Sequence, residues 1–402
     1  MPWNETCIMD QRIAFITAAL RDEAPMTALC AAFGISRNTG YKWLRRYEQE
    51  GPPGLEDRSR APHRHGSQMA PEIAEAILAL RRDRPHWGPR KLRALLQSQQ
   101  PEVNWPAAST IGDLLRRHGL SDRRRRRDSI PGPQPADFAP IEAPNDLWCI
   151  DFKGWFRTAD GQRCDPLTVT DAYSRYALVC QIVEPCHAPV EAAVLDAFRR
   201  YGLPKAIRSD NGPPFAAAGP GGLTRLSLAW LKAGIALERI APGKPQQNAR
   251  HERFHRTLKQ ETSRPPAANL RQQQARFDAF CHDYNHLRPH EALGQRPPAS
   301  LWTPSPRAYP QTLAQPWYDA QHALRRVRTS GEIKWAGQSV FISETLAGEP
   351  VGIAETVNGD WLVRYASIDL GIIDPKKNRL IRFRPPRADR KRANKSEKLS
   401  PI

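Results

Sequence analysis

The spacing of apolar residues divides the chain into helical segments followed by β-like segments. Over the first 120 residues, apolar side chains recur every three or four positions, which is the repeat of an amphipathic helix. The run Gly51-Pro52-Pro53-Gly54 and the Arg- and His-rich stretch after it predict a linker, because this composition packs poorly. We therefore expect helical domains at 1–50 and 70–120, separated by a linker at 51–69.

From residue 144 onward, short apolar runs typical of β-strands come first and later alternate with helices. The β-like runs are 147–156, 167–170, 177–183, 206–209 and 235–240. Helical spacing marks 190–201, 226–233, 248–261 and 270–284. This order predicts a mixed α/β sheet covered by helices, over residues 144–303.

The last part of the chain has a third pattern. Residues 325–383 hold five short β-like runs separated by Gly and Asn, which predicts a small β-barrel. The segment 121–143 is basic and proline-rich, which is typical of a linker, and the tail 384–402 is basic.

The charge of the chain points to its partner. Lys and Arg number 60 and Asp and Glu 42, a formal net charge of +18. Most of the cations are Arg, whose planar guanidinium grips phosphate oxygens in pairs, so we expect a nucleic-acid partner. We see no apolar run long enough to span a membrane and no secretory signal. The seven cysteines have no paired spacing. We expect a cytoplasmic protein without disulfides.

The amino-terminal helical block contains a helix, a tight turn and a second helix. Gly34 suits the left-handed end of the first helix, and Ser36 can cap the second. A helix-turn-helix of this kind presents polar residues to DNA from its second helix, although a plain helical hairpin would show the same turn. The expected DNA contacts are Arg37, Asn38 and Lys42, with Arg90 and Lys91 at the second helical block.

Three acidic residues lie where chemistry could use them. Asp151 lies inside an apolar strand, and Asp210 follows the strand 206–209. Glu252 shares a helix face with three polar or basic residues, Asn248, His255 and Lys259. Taken singly, each carboxylate has an ordinary explanation as a turn residue or a solvated surface group.

Other polar residues are better explained without chemistry. Asp171 follows a strand, and pairing with Arg175 accounts for it. Four histidines repeat at i, i+4 without the glutamate of a zinc-protease motif, so we expect them on the surface or facing DNA. They are His251, His255, His282 and His286.

The order Asp151, Asp210, Glu252, with 58 and then 41 intervening residues, resembles the Asp-Asp-Glu triad of retroviral-type integrases and transposases. The surrounding motifs resemble transposases of bacterial insertion sequences with an integrase catalytic core. These motifs are 209–215, 242–248, 251–259 and 284–293, together with 9–12 and 34–47. One position departs from the pattern, because Ala249 stands where Gly is common.

The resemblance implies a ribonuclease-H-like core with a mixed five-stranded sheet and flanking helices. It implies that Asp151, Asp210 and Glu252 bind two Mg²⁺ ions, which Mn²⁺ can replace, and catalyse 3′-end cleavage and strand transfer of DNA. It also implies binding to terminal inverted repeats and target DNA as a homo-oligomer. Phosphate contacts are expected from Lys244, Asn248, His255 and Lys259.

Two other classes of protein remain open at this point. A DNA-binding repressor or domesticated transposase would keep the same fold without chemistry in the cell. A ribonuclease-H-like nuclease would share the core, with less need for two DNA-binding units and a β-barrel.

Overall fold

The computed structural model describes residues 7–58, 69–121, 138, 140–241, 245–374 and 376–383. The chain forms two compact units, Met1–Ala70 and Pro71–Ile402. Most of the expected basic linker at 121–143 and all of the expected tail at 384–402 lie outside the described residues. In the described ranges, no helix combines the length and the apolar character needed to cross a membrane.

The first unit contains three helices, α1 (Ile8–Leu20), α2 (Met26–Ala32) and α3 (Arg37–Glu50). Gly34 has a φ of +67° in the turn between α2 and α3, a conformation that glycine adopts without strain. The Ser36 side chain accepts a 3.2 Å bond from the Thr39 amide at the start of α3. The helix-turn-helix predicted from the sequence is thus present.

The proline-glycine segment after α3 packs, which corrects the linker prediction for these residues. Pro52–Leu55 forms a short 3₁₀ turn, and Leu55 is buried in the core of the first unit. The Leu55 carbonyl also accepts a 2.8 Å bond from the Arg12 guanidinium. One buried leucine is enough to anchor a turn whose composition indicated no packing.

The second helical block belongs to the larger unit. Its helices are α4 (Pro71–Asp83), α5 (Pro89–Gln99) and α6 (Ala108–Arg117). Their apolar faces meet in a core of their own, as amphipathic spacing predicts. The buried residues of this core are Ile77, Leu78, Leu92, Leu95, Leu96, Ile111, Leu114 and Leu115.

A five-stranded mixed sheet forms the centre of the larger unit, as predicted. The first strands are β1 (Leu147–Phe152), a small hairpin of β2 (Phe156–Arg157) and β3 (Arg163–Cys164), β4 (Pro166–Asp171) and β5 (Ala177–Ile182). β6 (Ala206–Ser209) and β7 (Ala236–Arg239) follow. The sheet has the order β5-β4-β1-β6-β7, antiparallel from β5 to β1 and parallel from β1 to β7.

The alternation of side chains along the strands gives the sheet two different faces. Trp148 and Ile150 point to the apolar face, which is covered by α7 (His187–Tyr201) and α8 (Arg225–Lys232). The opposite face is covered by α9 (Ala249–Thr262) and α10 (Leu270–His286). Asp151 and Thr168 are direct cross-strand partners and so share one face.

The carboxy-terminal strands form two open sheets rather than the expected closed barrel. The strands are β8 (Ala323–Arg326), β9 (Glu332–Trp335), β10 (Gln338–Phe341), β11 (Pro350–Glu355), β12 (Trp361–Tyr365), β13 (Ile368–Asp374) and β14 (Arg379–Arg382). One sheet has the order β14-β13-β12-β11-β8, and β9 and β10 form a separate hairpin. In the described ranges, no backbone ladder joins β8 to β14. Alternating patterns specify strands, but closure depends on strand tilt and register.

The carboxy-terminal sheet shares its apolar core with the central domain. Leu223, just before α8, and Leu228, within α8, pack in the same apolar cluster as the sheet. Lys232 on α8 forms a 2.9 Å ion pair with Glu349, and both side chains are only 17% exposed. Packing of the central domain also continues past residue 303, because Arg307 donates to the Pro204 carbonyl at 2.8 Å.

Candidate active site

Asp151 lies near the end of β1, half-buried at the face covered by α9. Burial, and then the charges of Asp210 and Glu252, raise its pKa to about 7. A carboxylate that two others repel is an unfavourable arrangement unless a cation offsets the charge. The charges of Asp210 and Glu252 therefore act on the Asp151 carboxylate.

Asp210 follows β6 directly, and β6 is the parallel neighbour of β1. Its carboxylate accepts a 3.2 Å bond from the Gly212 amide. A β-carbon at Gly212 would lie 3.1 Å from Asp210 Oδ2, so glycine leaves room for the carboxylate in this turn. The side-chain amide of Asn211 connects this turn to the residue after β7, because it donates to the Ile240 carbonyl at 2.6 Å.

Glu252 lies in the first turn of α9, and its side chain is exposed. The apolar side of α9 explains this orientation, because Phe254 and Leu258 are buried against α10 and β5. Ala249 is the first residue of α9 and is not among the residues with positive φ. The chain therefore does not require the glycine that is common at this position.

The donor set fits hard divalent cations. Three carboxylates on β1, after β6 and on α9 offer oxygen ligands, which Mg²⁺ and Mn²⁺ prefer. In the part of the chain that the structure describes, no three Asp, Glu, His or Cys side chains already form a group that could hold an ion. The raised pKa of Asp151, caused by burial and then by the charges of Asp210 and Glu252, favours a cation there.

Comparison with known proteins agrees with this architecture. The Integrase core domain family matches residues 141–245, and a second Integrase core domain family matches 233–298. A Helix-turn-helix domain matches 11–63, and a Homeodomain-like domain matches 39–115. A protein of insertion element IS407 from Burkholderia multivorans is 32% identical over 232 residues, covering 57% of this chain and 80% of its own length. The chain belongs to the insertion-element transposases with an integrase core.

Further relatives are more distant. A protein of insertion element IS476 from Xanthomonas euvesicatoria is 29% identical to the transposase over 251 residues, covering 60% of this chain and 69% of its own length. Among solved structures, the HTLV-2 integrase catalytic core domain with magnesium has a TM-score of 0.32 at 16% identity, covering 40% of this chain and 97% of its own. The simian T-cell lymphotropic virus intasome with a PP2A regulatory subunit has a TM-score of 0.35 at 16% identity, covering 75% of this chain and 99% of its own.

The other polar residues expected on the Glu252 face differ in exposure. Lys259 is exposed on α9. His255 is half-buried, and its pKa is lowered to about 4 by burial and then by the charge of Lys153. Asn248 is only 4% exposed, and its contact with phosphate stays a prediction. Lys244 lies outside the described residues.

His251 corrects the expectation that the repeated histidines lie on the surface. The side chain is 1% exposed and bonds to Thr168 and Thr170 on β4. Its helix lies directly on the sheet, and the sequence spacing could not tell the inward face from the outward one. His282 and His286 on α10 are exposed, as expected.

Asp171 is buried, but it does not form the expected ion pair with Arg175. Its carboxylate accepts bonds from the Asn145 amide at 2.8 Å and from the Ser174 amide at 2.7 Å. The Arg175 guanidinium donates instead to the Ala172 carbonyl. Asp171 therefore holds the turn between β4 and β5, away from the triad.

Lys153 is a candidate that the sequence analysis missed. It lies two residues after Asp151, half-buried, with its ammonium 5.0 Å from the Phe156 ring centre. Burial, and then the charge of Lys259, lower its pKa to about 8. A lysine beside an acidic residue at the end of an apolar strand was the available signal. Lys153 and Lys259 thus lie close enough for the charge of one to act on the other.

The expected DNA contacts of the two helical blocks have different surroundings. Arg37, Asn38 and Lys42 are exposed on the first two turns of α3. Arg90 instead pairs with Glu291, and Lys91 is half-buried with its pKa lowered to about 8 by burial and then by Arg288. Both residues of α5 thus have partners in the catalytic domain, and since Arg90 is still 69% exposed, their contact with DNA stays a prediction.

Proposed function

We propose that the transposase binds the terminal inverted repeats of its insertion element, cleaves their 3′ ends and joins them to target DNA. Asp151, Asp210 and Glu252 are the catalytic residues in this proposal. The observation that carries it is the raised pKa of Asp151, whose causes are burial and the two other carboxylates. Mutual repulsion at this sheet edge is suited to cations and costly without them.

The carboxylates would hold two divalent cations, Mg²⁺ with Mn²⁺ as a substitute. When bound, such ions activate the attacking hydroxyl and stabilise the leaving oxygen of a phosphodiester. Asp151 contributes its ligand from a central strand and Asp210 from a glycine turn, so both come from rigid backbone. Glu252 contributes from the exposed first turn of α9.

Positive side chains beside the carboxylates would hold the DNA backbone. Lys259 is exposed and Lys153 is half-buried next to it, so each can donate to a phosphate oxygen. In the first unit, Arg37, Asn38 and Lys42 at the start of α3 would read the terminal repeat.

Assembly and location follow from the substrate. Two element ends must be held together for transposition, so we propose a homo-oligomer as the active species. The substrate and the target are bacterial DNA, so we place the transposase in the cytoplasm on the nucleoid.

A strand-transfer assay tests this function. Purified protein is incubated with a labelled terminal repeat, target DNA and Mg²⁺, and wild type is compared with Glu252→Gln. The matched control is Asp196→Asn, an exposed acid on α7 that pairs with Arg200. We expect joined product from wild type and from Asp196→Asn, and none from Glu252→Gln.

Other outcomes identify the other classes of protein. Sequence-specific binding without product from any variant favours a repressor or domesticated transposase. Faster cleavage of an RNA–DNA hybrid than of duplex ends favours a ribonuclease-H-like nuclease. Equal product from Glu252→Gln would refute the triad.

A further inference from the structure

His251 is buried, polar and fully hydrogen-bonded, and it precedes Glu252 in the sequence. Its Nε2 lies 2.8 Å from Thr168 Oγ1, and its Nδ1 lies 2.7 Å from Thr170 Oγ1. The ring is 1% exposed. An apolar side chain could fill this place without desolvating a polar ring, so what a histidine adds here is its two hydrogen bonds.

The Thr168 hydroxyl joins three groups at one atom. Its oxygen lies 3.0 Å from the backbone carbonyl oxygen of Asp151, 2.8 Å from His251 Nε2 and 2.7 Å from His255 Nε2. A carbonyl oxygen can only accept, so the hydroxyl donates to Asp151 and accepts from both rings. Both histidines therefore carry a proton on Nε2.

The remaining nitrogen of His251 then has a defined role. With its proton on Nε2, the neutral ring accepts at Nδ1 from the Thr170 hydroxyl, whose oxygen lies 2.7 Å away. Three hydrogen bonds run in one direction, from Thr170 through His251 and Thr168 to Asp151. Hydrogen bonds aligned in this way strengthen one another.

The first turn of α9 depends on side-chain contacts of this kind for its position. Its N-cap residue, Asn248, makes no side-chain capping bond within the described residues. Arg250 donates to the Ala172 carbonyl at 3.0 Å, which fixes the turn to the far end of β4. The series of hydrogen bonds through His251 instead ends on the backbone carbonyl of Asp151.

We propose that His251 is a positioning residue that sets the distance between Glu252 on α9 and Asp151 on β1. It acts through Thr168, touches neither DNA nor the reacting atoms, and prepares the carboxylates to bind divalent cations. The inference rests on the proposed function, since it gives the carboxylates that role.

The proton positions can be tested in the full-length protein without any reaction. Histidine labelled with ¹⁵N, observed by NMR, should show a proton bound to Nε2 of His251 and an unprotonated Nδ1 that accepts a hydrogen bond. Thr170→Val should shift the Nδ1 signal, because it removes the donor. A proton on Nδ1 with a bare Nε2 would overturn the proposal, because Thr168 could not then accept from His251.

Substitutions test the consequence for the site. His251→Phe keeps an aromatic ring but loses both bonds, while His251→Gln keeps one donor and one acceptor. We expect His251→Phe to weaken Mn²⁺ binding, measured by calorimetry without DNA, by about 10- to 100-fold, as is typical for residues that orient metal ligands. Single-turnover strand transfer should slow by about the same factor, with binding of the DNA end unchanged. His251→Gln should recover most of both losses.

Control variants separate positioning from general stability. Leu258→Ala weakens the packing of α9 without touching the hydrogen-bonded chain, so it should lower the melting temperature and leave Mn²⁺ affinity unchanged. If His251→Phe does not fold, Thr168→Val provides the test, because valine keeps the side-chain shape and lacks the hydroxyl that joins His251 to Asp151. It should show the same losses as His251→Phe.

The outcomes distinguish this inference from the proposed function. If His251→Phe and Thr168→Val keep wild-type Mn²⁺ affinity and rate while Glu252→Gln loses both, the positioning role is wrong and the proposed function stands. If Glu252→Gln behaves as wild type in both measurements, the proposed function itself fails.

Discussion

Asp151→Asn should stabilise the cation-free protein and remove its response to divalent cations. The folded protein raises the pKa of Asp151 from 3.8 to about 7, so the folded state binds this proton more tightly than the unfolded chain does. The stability contributed by this proton is complete below about pH 4 and is lost as the pH rises through 7. Above that pH, the ionised carboxylate is a net cost to the fold.

The size of this cost follows from the shift. About three pKa units correspond to about 4 kcal/mol as an upper limit. Asp151 is only half-buried, and solvent screening reduces the value, so we expect Asp151→Asn to raise the free energy of unfolding by about 2 kcal/mol at pH 8. At pH 4 the two proteins should be nearly equal in stability.

Urea unfolding followed by tryptophan fluorescence, at pH 4 and pH 8 in a chelating buffer, measures this difference. Added Mg²⁺ should stabilise wild type at pH 8 and leave Asp151→Asn unchanged, because an amide is a poor ligand for the ion. The control is Asp196→Asn, whose acid is exposed and paired with Arg200. A variant that is less stable than wild type at pH 8 without cations would refute the argument that burial and the two neighbouring carboxylates raise the pKa of Asp151.

Three further predictions concern other parts of the molecule. Lys42→Gln on the exposed face of α3 should weaken binding of the terminal repeat, measured by fluorescence anisotropy. If Lys42 contacts one phosphate, the slope of log affinity against log salt should fall by about 0.9, and an unchanged slope would exclude that contact. Trp87→Ala should destabilise the larger unit by about 3–5 kcal/mol in urea unfolding, because the ring is 2% exposed and the guanidinium carbons of Arg84 and Arg288 lie 5.5 and 5.6 Å from its centre. A loss below about 1 kcal/mol would show that the site collapses around the missing ring. Ala249→Gly should not accelerate strand transfer, because Ala249 has no positive φ to relieve; a faster variant would show that flexibility at the start of α9 limits the reaction.

The elements that carry the candidate site were predictable because their signals are local. Alternation along β1 and helical spacing along α9 depend only on neighbours in the sequence. Both elements begin close to their predicted starts, although β1 ends at Phe152 rather than at residue 156. Asp151, Asp210 and Glu252 accordingly lie on a strand, after a strand and on a helix. The motifs around them, which resemble transposases, indicated the family that comparison with known proteins confirmed.

The environment of those residues was not predictable from local patterns. Spacing along α9 put His251 and His255 on one side of the helix, but only packing against β4 shows that this side is buried at Thr168. In the same way, the sequence shows Lys153 two positions after Asp151, but only the folded chain shows that it is half-buried and that the charge of Lys259 acts on it.

The sequence alone therefore determined the types of element, the mixed sheet, the helix-turn-helix and the family of the protein. Tertiary structure decided that the carboxy-terminal strands stay open, that Leu55 packs, and that Arg90 and Lys91 have partners in the catalytic domain. The physical reason is the range of the interactions. Strand and helix patterns arise between residues a few positions apart, whereas closure, burial and ion pairing join residues that are up to about 200 positions apart, as Arg90 and Glu291 are.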